Sequence, residues 1–334
     1  MAVRRKFLAM SIPASGDRFA AFRHSSYTRF FLSRFFAAFA IQIISVSVGW
    51  QMYDETRNPL YLGLIGLFQF LPSLLLILVT GTIAHRYNRR MIMAICMVVG
   101  AACAAALLGL TLANAFTPWL VFAILVVFGI ERAFMGPAVQ SLGPNLVPEK
   151  DLANAIAWNS SSWQTASILG PVFGGLLYGV DGTAAYIVAF VLLSLAALLV
   201  FMIPKPAQRT SAAKVDVAHL LAGFRFIFSE KVVLGAISLD LFAVLLGGAV
   251  ALMPIFARDV LELGPWGLGL LRAAPGIGAI AVAIWLAFHP IRHHAGTAMF
   301  VGVGFFGLGT LIFGLSATPW LSIVALMIMG AADM

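Results

Sequence analysis

The chain has 334 residues, of which 61% are hydrophobic and only 10% are charged. In a soluble domain roughly a quarter of all residues are charged, so this chain has more apolar side chains than a water-soluble fold of its length could bury. The composition therefore excludes an ordinary soluble protein and indicates one that is embedded in a lipid bilayer. Because backbone polar groups must be paired inside a bilayer, we expect an all-α integral membrane fold.

Ten apolar segments along the chain are candidates for membrane spans, each of which needs roughly 20 apolar residues. They lie at 30–52, 60–83, 91–113, 118–138, 153–179, 184–203, 232–256, 266–288, 296–316 and 319–334. The fifth is the least apolar, because a polar run from Asn159 to Gln164 falls inside it, and the tenth is short. The apolar run at the basic start of the chain is short and broken by Pro13, so we expect no cleaved signal peptide and expect the first span to direct membrane targeting.

The positions of the 21 Lys and Arg residues predict the orientation of these spans. If the N-terminus is cytoplasmic, Arg57 and Arg258 face the outside, Arg132 and Arg272 fall within spans, and the others lie on the inner side. Such an excess of basic residues on one side is typical of the cytoplasmic segments of a multi-pass protein. We therefore expect a plasma (inner) membrane protein, in which the net charge of +8 reports topology and a nucleic-acid surface is disfavoured.

The spans fall into two groups that are separated by a more polar segment. Residues 1–203 hold six spans, residues 204–231 form a predicted cytoplasmic linker, and residues 232–334 hold four spans. The second part of the linker predicts an amphipathic helix, either on the inner membrane surface or packed on the bundle. Its apolar face would consist of Val217, Leu220, Leu221, Phe224 and Phe228.

The two groups of spans also share a short sequence pattern. Gly66, Leu67 and Pro72 of the second span recur as residues 269, 270 and 275 of the eighth, and Arg90 is matched by Arg292 at nearly the same offset. A repeated six-span unit around a cytoplasmic linker is a plan that secondary transporters use.

The short basic stretch GTIAHRYNRR at 81–90 lies between the second and third spans. It resembles the signature loop of the major facilitator superfamily, with Gly81, Arg86, Arg89 and Arg90 in matching positions. The resemblance implies that the arginines pair with carboxylates or helix C-termini of neighbouring spans and hold one state closed. His85 stands where the family usually has Asp, and it is either a pH-sensitive element of this latch or a tolerated interfacial residue.

The stretch ASILGPVFGG at 166–175 resembles the fifth-span motif of the superfamily's exporters. Four of its small or kinking residues match the motif and the first glycine is replaced by alanine; the five positions are Ala166, Gly170, Pro171, Gly174 and Gly175. The resemblance implies proton antiport, whereas the simpler interpretation is close helix packing through small residues.

Longer stretches, including 132–175 and 251–279, resemble the branch of enterobactin exporters, secretion effectors and macrolide-efflux proteins. This resemblance implies the major facilitator fold, in which two pseudo-symmetric six-helix halves rock about a central site, and a monomer that exports a small molecule of the drug or siderophore type without cofactor or metal. About ten of the usual twelve spans are present, so the chain is either a C-terminally truncated fragment or a degenerate, non-transporting remnant. A membrane enzyme is disfavoured because the His residues are scattered, and an ATP-driven pump is disfavoured because no phosphate-binding glycine loop is present.

Polar residues within the spans are the candidates for a functional site, because such residues are costly in lipid. Asp240 is the first candidate for a proton-carrying carboxylate, with a structural ion pair to Arg272 as the alternative. Glu131 is the second candidate, and its neighbour Arg132 is expected to turn toward the inner surface or a bundle partner. A further set of amides either lines a central cavity or bonds across helices: Gln42, Gln51, Gln69, Gln140, Asn159 and Gln164.

Overall fold

The structure is a computed structural model that describes residues 17–204, 225, 227–246, 248–289 and 295–334. Within these helices the side chains at 77–79, 81–82, 84–86, 243–246 and 295 are not described. Most of the predicted linker at 204–231, and Arg292, lie outside the described residues. No strand occurs in the part of the chain that is described, as expected for an all-α fold.

Six helices form the first half of the protein and correspond to the first six predicted spans. They are α1 (Ser25–Thr56), α2 (Pro59–Arg86), α3 (Arg89–Leu112), α4 (Pro118–Leu142), α5 (Leu152–Val180) and α6 (Gly182–Phe201). Local capping explains several of their starts, since the side chains of Asn58, Asn88 and Asp181 accept hydrogen bonds from the first turns of α2, α3 and α6. Proline at the first turn of α2 and α4 favours the same boundaries.

The second half contains the helices of the last four predicted spans. They are α7 (Lys231–Leu246), α8 (Ala249–Ile255), α9 (Gly264–Phe288), α10 (Ala295–Leu315) and α11 (Pro319–Ala332). The prediction of one continuous seventh span at 232–256 was wrong, because the helix is interrupted at Gly248 and continues past α8 as a π-helical turn, Phe256–Val260. Glycine at the break and Pro254 within α8 both weaken a regular helix, which accounts for the interruption.

Seven of the described helices are long and apolar enough to cross a membrane. Helix α5 is not among them, although it extends unbroken from Leu152 to Val180. Its polar run at Asn159 to Gln164 lowers its hydropathy but does not interrupt the helix, because α5 packs against α1 on one side and against α9 on the other. The contacts with these two helices make α5 the main bridge between the halves.

Two hydrophobic cores stabilise the bundle, one in each half. The first is built mainly from α1, α3, α4 and α6, and the second from α8, α9, α10 and α11. Val46 and Trp50 of α1 belong to the second core, so α1 is anchored in both halves.

A short segment before α1 crosses the start of α5. The carbonyl oxygen of Arg18 accepts hydrogen bonds from the Asn154 amide and the Trp158 indole, both at 2.9 Å. Phe19 stacks on Trp158 with ring centroids 5.3 Å apart, and His24 lies 3.0 Å from a carboxylate oxygen of Asp151. The segment therefore fixes α1 and α5 to one another at this end of the bundle.

Candidate functional site

The two ends of the bundle differ in charge and are named accordingly. The basic end is where α1 begins, where Arg89 and Arg90 start α3, and where Lys150 lies between α4 and α5. The opposite end is where α1 ends and α9 begins. A cavity of about 650 Å³ reaches the basic end, because Gly143 and Pro144 from the connection between α4 and α5 are part of its wall. Its volume is in the range of small-molecule sites.

The walls of this cavity come from α1, α3, α4 and α5. Most of the lining is apolar or small, with Met97, Met135 and Trp163 as the largest such side chains. The polar lining consists of Arg34, Gln140, Asn159, Ser160 and Gln164. A mainly apolar cavity with a few convergent polar groups is the usual form of a small-molecule binding site.

Three of the six amides predicted to line a cavity do so, namely Gln140, Asn159 and Gln164. Gln164 also donates to the Gly276 carbonyl oxygen at 3.2 Å and so connects α5 to α9. Asn159 lines the cavity, and its Oδ1 atom is shielded from solvent without a hydrogen-bond partner among the described residues.

The other three amides are placed differently. Gln51 follows the alternative interpretation, because it accepts a hydrogen bond from the buried Tyr186 hydroxyl at 2.8 Å and contacts Thr111 of α3. Gln42 packs where α1 crosses α5, and Gln69 lines a second cleft between α2 and α4. That cleft, of about 540 Å³, also contains Arg132, whose side chain is exposed.

The deep wall of the cavity is closed by contacts between the halves. One helical turn beyond the cavity residue Ile41, Ser45 of α1 accepts a hydrogen bond of 2.6 Å from the Arg272 guanidinium of α9. Arg272 likewise lies one turn beyond Gly276, the partner of Gln164. The Arg272 Nε atom is buried without a hydrogen-bond partner among the described residues.

Ion pairs between the halves close the opposite end. Asp54 at the end of α1 pairs with Arg258 of the π-helical turn, and Arg57 pairs with Asp259 at 3.5 Å. The Tyr53 hydroxyl donates to the same Asp259, while Arg258 lies over the Trp50 ring at 5.5 Å from its centroid. The cavity is thus open toward the basic end and separated from the opposite end by two charged layers, Arg272 and these pairs.

The arginines of the stretch 81–90 hold helix ends within the first half. Arg89 donates to the Ser141 carbonyl oxygen at 3.2 Å, near the end of α4, and Arg90 donates to the Ile203 carbonyl oxygen just past α6. The resemblance implied that these arginines pair with carboxylates or with helix C-termini. The described contacts of Arg89 and Arg90 are with helix C-termini, where a cation is favourable. The surroundings of Gly81 and the side chains of His85 and Arg86, near the end of α2, are not described by the structure.

The glycine motif of α5 lies where three helices cross. A Cβ atom at Gly170 would lie 2.6 Å from the Gln42 Cβ atom, and one at Gly174 would lie 3.0 Å from the Ile43 Cα atom, both on α1. A Cβ atom at Gly175 would lie 2.5 Å from the Pro265 carbonyl oxygen on α9. The residues at the five motif positions, including buried Ala166 and Pro171, therefore pack α5 closely against both halves.

The two candidate proton carriers occupy unlike surroundings. Glu131 is only 7% exposed and faces α3 near Cys96 and Cys103, without a hydrogen bond or ion pair to any described residue. Asp240 is exposed on α7, and its expected alternative pairing with Arg272 is absent from the described contacts, since Arg272 bonds to Ser45. Both cysteines are free and buried, and no metal-binding group of three His, Cys, Asp or Glu is found in the part that is described.

Comparisons with known proteins agree on the class of protein. The profile of the family described as transmembrane secretion effector matches residues 16–334. The enterobactin exporter EntS of Shigella boydii serotype 18 is 27% identical over 328 residues, covering 90% of this chain and 75% of the relative. EntS of Escherichia coli O81 is 26% identical with the same coverage.

Solved structures with a similar fold are transporters of low sequence identity. A bacterial homologue of the lysosomal transporter Spinster, in an inward-facing and unoccupied conformation, has a TM-score of 0.67 at 18% identity, covering 92% of this chain and 72% of that one. The nucleoside transporter NupG has a TM-score of 0.68 at 14% identity, covering 92% and 79% of the two chains. At these identities the likeness establishes the fold alone.

Proposed function

Since the chain belongs to the transmembrane secretion effector family of the major facilitator superfamily, we propose that it exports small molecules by alternating access driven by inward proton flow. The observation that carries this proposal is the asymmetry of the bundle: the cavity reaches the basic end, whereas ion pairs between the halves close the opposite end. The protein is a membrane transporter, and this arrangement is one of the two states that alternating access requires.

The orientation proposed for the basic end determines which side of the membrane has access to the cavity. An excess of Lys and Arg marks the cytoplasmic side of a membrane protein, so the basic end is placed in the cytoplasm, together with the N-terminus. The cavity is then open to cytoplasmic molecules in this state. Export requires that the pairs Asp54–Arg258 and Arg57–Asp259 separate while the basic end closes.

The type of cargo is proposed from the relatives and from the cavity. The two relatives described above are named enterobactin exporters, which favours a siderophore, or a drug-like molecule of similar character, as cargo. A cavity of about 650 Å³ with apolar walls and the amides Gln140, Asn159 and Gln164 suits an amphiphilic molecule that offers hydrogen-bonding groups.

Proton coupling is assigned to the two intramembrane carboxylates. A proton carrier has to release and bind a proton as its surroundings change, which a carboxylate without a permanent cation partner is able to do. Glu131 is buried and makes no ion pair with any described residue, and the cation that acts on it is the exposed Arg132. Glu131 is therefore the stronger candidate, while Asp240 is exposed on α7. His85 and Arg86 are proposed to complete the latch at the basic end when the halves rock.

The test is uptake of enterobactin into everted vesicles that contain the full chain, with and without a proton gradient, because the cytoplasmic face of everted vesicles is on the outside. Glu131→Gln is expected to abolish the dependence on the gradient and Asp240→Asn to have a smaller effect. The matched control Glu149→Gln, which removes an exposed carboxylate outside the spans, should retain gradient dependence. Transport that persists in wild-type vesicles after the gradient is dissipated would refute antiport. His85→Asp tests the latch separately, since an unchanged pH profile of transport would leave His85 as a tolerated interfacial residue.

A further inference from the structure

The cavity at the basic end has a single sign of charge. Of its described lining residues, Arg34 is the one that is ionised at neutral pH. The Arg34 side chain is half-buried and makes no hydrogen bond or ion pair with any described residue. A guanidinium offers five N–H donors in a planar fork that matches a carboxylate or a phenolate pair, so an unpaired one in a binding cavity is a recognition group for an anion.

The nearby carboxylates do not neutralise Arg34. At the basic end Asp151 contacts His24 and Asp17 contacts Arg23 at 2.6 Å. Glu131 lies one turn deeper than Met135 on α4, but it is not part of the cavity wall and faces the cysteines of α3. The Tyr27 hydroxyl close to Arg34 donates its proton to the Ala155 carbonyl oxygen at 2.8 Å.

The route beyond the cavity continues with the same sign. Arg272 lies one turn past Ile41 and Gly276, between α1 and α9, with the neutral Ser45 as its side-chain partner. A cation that moved from the cavity toward the opposite end would meet Arg34 and then Arg272. An anion would be attracted by both in succession, because charges interact strongly where water is excluded.

The remaining lining groups indicate what else the cargo carries. Trp163, Met97 and Met135 line the cavity. Indole rings and thioether sulfur atoms are groups that contact aromatic rings favourably. The amide side chain of Asn159 is part of the same wall and is able to form a hydrogen bond with a hydroxyl group. We propose that the cavity selects small acidic aromatic molecules, with an ionised carboxylate or phenolate against Arg34 and a hydroxyl group against Asn159. This inference rests on the proposed function in taking the cavity as the cargo site.

The proposal is tested by binding of two dyes that share a xanthene scaffold and differ in charge. Fluorescein is an anion at slightly alkaline pH, and tetramethylrosamine is a cation of similar size. Fluorescence polarisation with the purified full chain in nanodiscs is expected to show tighter binding of fluorescein. Arg34→Gln should weaken fluorescein binding about tenfold or more, the loss expected for a charge-assisted hydrogen bond, and should not weaken tetramethylrosamine binding.

Two further variants separate recognition from structure. Arg34→Lys keeps the charge and should retain much of the fluorescein affinity, whereas Arg23→Gln removes the same charge from a side chain that is 74% exposed outside the cavity and should change neither dye. Equal weakening of both dyes by Arg34→Gln, or tighter binding of the cation by the wild type, would overturn the inference. If Arg34→Gln does not fold, the wild-type protein still tests the inference. Its preference for fluorescein over tetramethylrosamine should weaken as salt is added, because salt screens the attraction between an anion and Arg34.

Vesicle transport distinguishes this inference from the proposed function. If fluorescein binds through Arg34 but everted vesicles take up neither fluorescein nor enterobactin, the export function is refuted and the charge selectivity of the cavity stands. If everted vesicles take up tetramethylrosamine as well as fluorescein, the export function stands and the inference about charge is wrong.

Discussion

The two ends of the bundle use arginine in different ways. At the basic end Arg29, Arg89 and Arg90 donate to carbonyl oxygens at the ends of helices that belong to the same half. At the opposite end Arg57 and Arg258 pair with carboxylates of the other half. Contacts within one half are kept when the halves rock, whereas contacts between halves must break in every cycle. The location of a charge therefore tells whether it stabilises the fold or selects a conformational state.

The largest effect is expected from reversing a charge between the halves. Asp54→Arg would bring a third cation beside Arg57 and Arg258 and should open the opposite end. We expect the export rate to fall about tenfold or more, because a bias of about 1.4 kcal/mol toward one state is enough for that change. A cysteine at Val46, which is buried against the second half, should become reactive to maleimide from that end.

The matched control for this change is the charge swap Asp54→Arg with Arg258→Asp. The pairing is restored with reversed polarity, so both transport and protection of the cysteine should recover. If the single reversal leaves labelling unchanged, the ion pairs do not hold the opposite end closed. Native Cys96 and Cys103 are buried and should contribute little background.

The second effect concerns stability at the crossing of α5 and α9. Gly175→Ala would place a methyl group 2.5 Å from the Pro265 carbonyl oxygen, which is backbone and has little freedom to move. Overpacking of this kind costs about 1–3 kcal/mol, so the thermal unfolding midpoint should fall. Gly179→Ala is the control one turn further along α5, where nothing lies within 4 Å of the new methyl group. Equal midpoints for the two variants would show that the helices separate readily at this crossing.

The third effect is the loss of a helix-end contact within the first half. Arg90→Gln removes the donor to the Ile203 carbonyl oxygen and should lower the free energy of unfolding by about 1.5 kcal/mol. The lower part of the range for a charged hydrogen bond is expected, because the Arg90 Nε atom is buried without a partner among the described residues. Arg90→Lys should lie between wild type and Arg90→Gln in a thermal unfolding assay. In contrast to Asp54→Arg, neither change should expose a cysteine at Val46.

The smallest effect concerns Asp181, which lies between α5 and α6. Hydrogen bonds from the Thr183 backbone N–H and hydroxyl, at 2.9 and 2.8 Å, hold the pKa of the Asp181 carboxyl below its ordinary value. Because the pKa is lowered by folding, the carboxylate stabilises the protein above its ordinary pKa, and this contribution is lost as the pH falls through the lowered pKa. Asp181→Asn keeps the cap and should reduce the acid dependence of the unfolding midpoint, while Asp181→Ala should lower the midpoint at neutral pH as well.

Much of the fold could be predicted because it follows from periodicity and composition. Spans one to six and eight to ten have helices at the expected places, and the polar run in the fifth did not break it. The interruption of the seventh span was not predicted, because a glycine and a proline permit a break without fixing where it falls. Helix α1 is also longer than predicted. At its two ends Arg29 donates to the Met202 carbonyl oxygen and Tyr53 donates to Asp259, and sequence alone does not reveal these tertiary contacts.

The site was predicted only in part, because its residues converge from separate helices. The amides at 140, 159 and 164 were identified by their polarity within spans, and Gln51 has the same polarity but bonds to Tyr186. Arg34 was interpreted only as a topological charge at the inner side, and its position in the cavity depends on how α1 packs against α4 and α5. Likewise, Arg57 and Arg258 were placed at the outer side, but their pairing with Asp259 and Asp54 depends on tertiary contact.

The polar run of α5 has a consequence for the biogenesis of the protein. A helix that carries Asn159, three serines and Gln164 partitions poorly into lipid by itself, so it depends on neighbours when it leaves the translocon. One neighbour, α1, is synthesised early, and the Tyr27 hydroxyl of α1 donates to the Ala155 carbonyl oxygen near the start of α5. The other, α9, begins more than eighty residues after α5 ends, so α5 has to be retained by the first half until translation supplies its second partner.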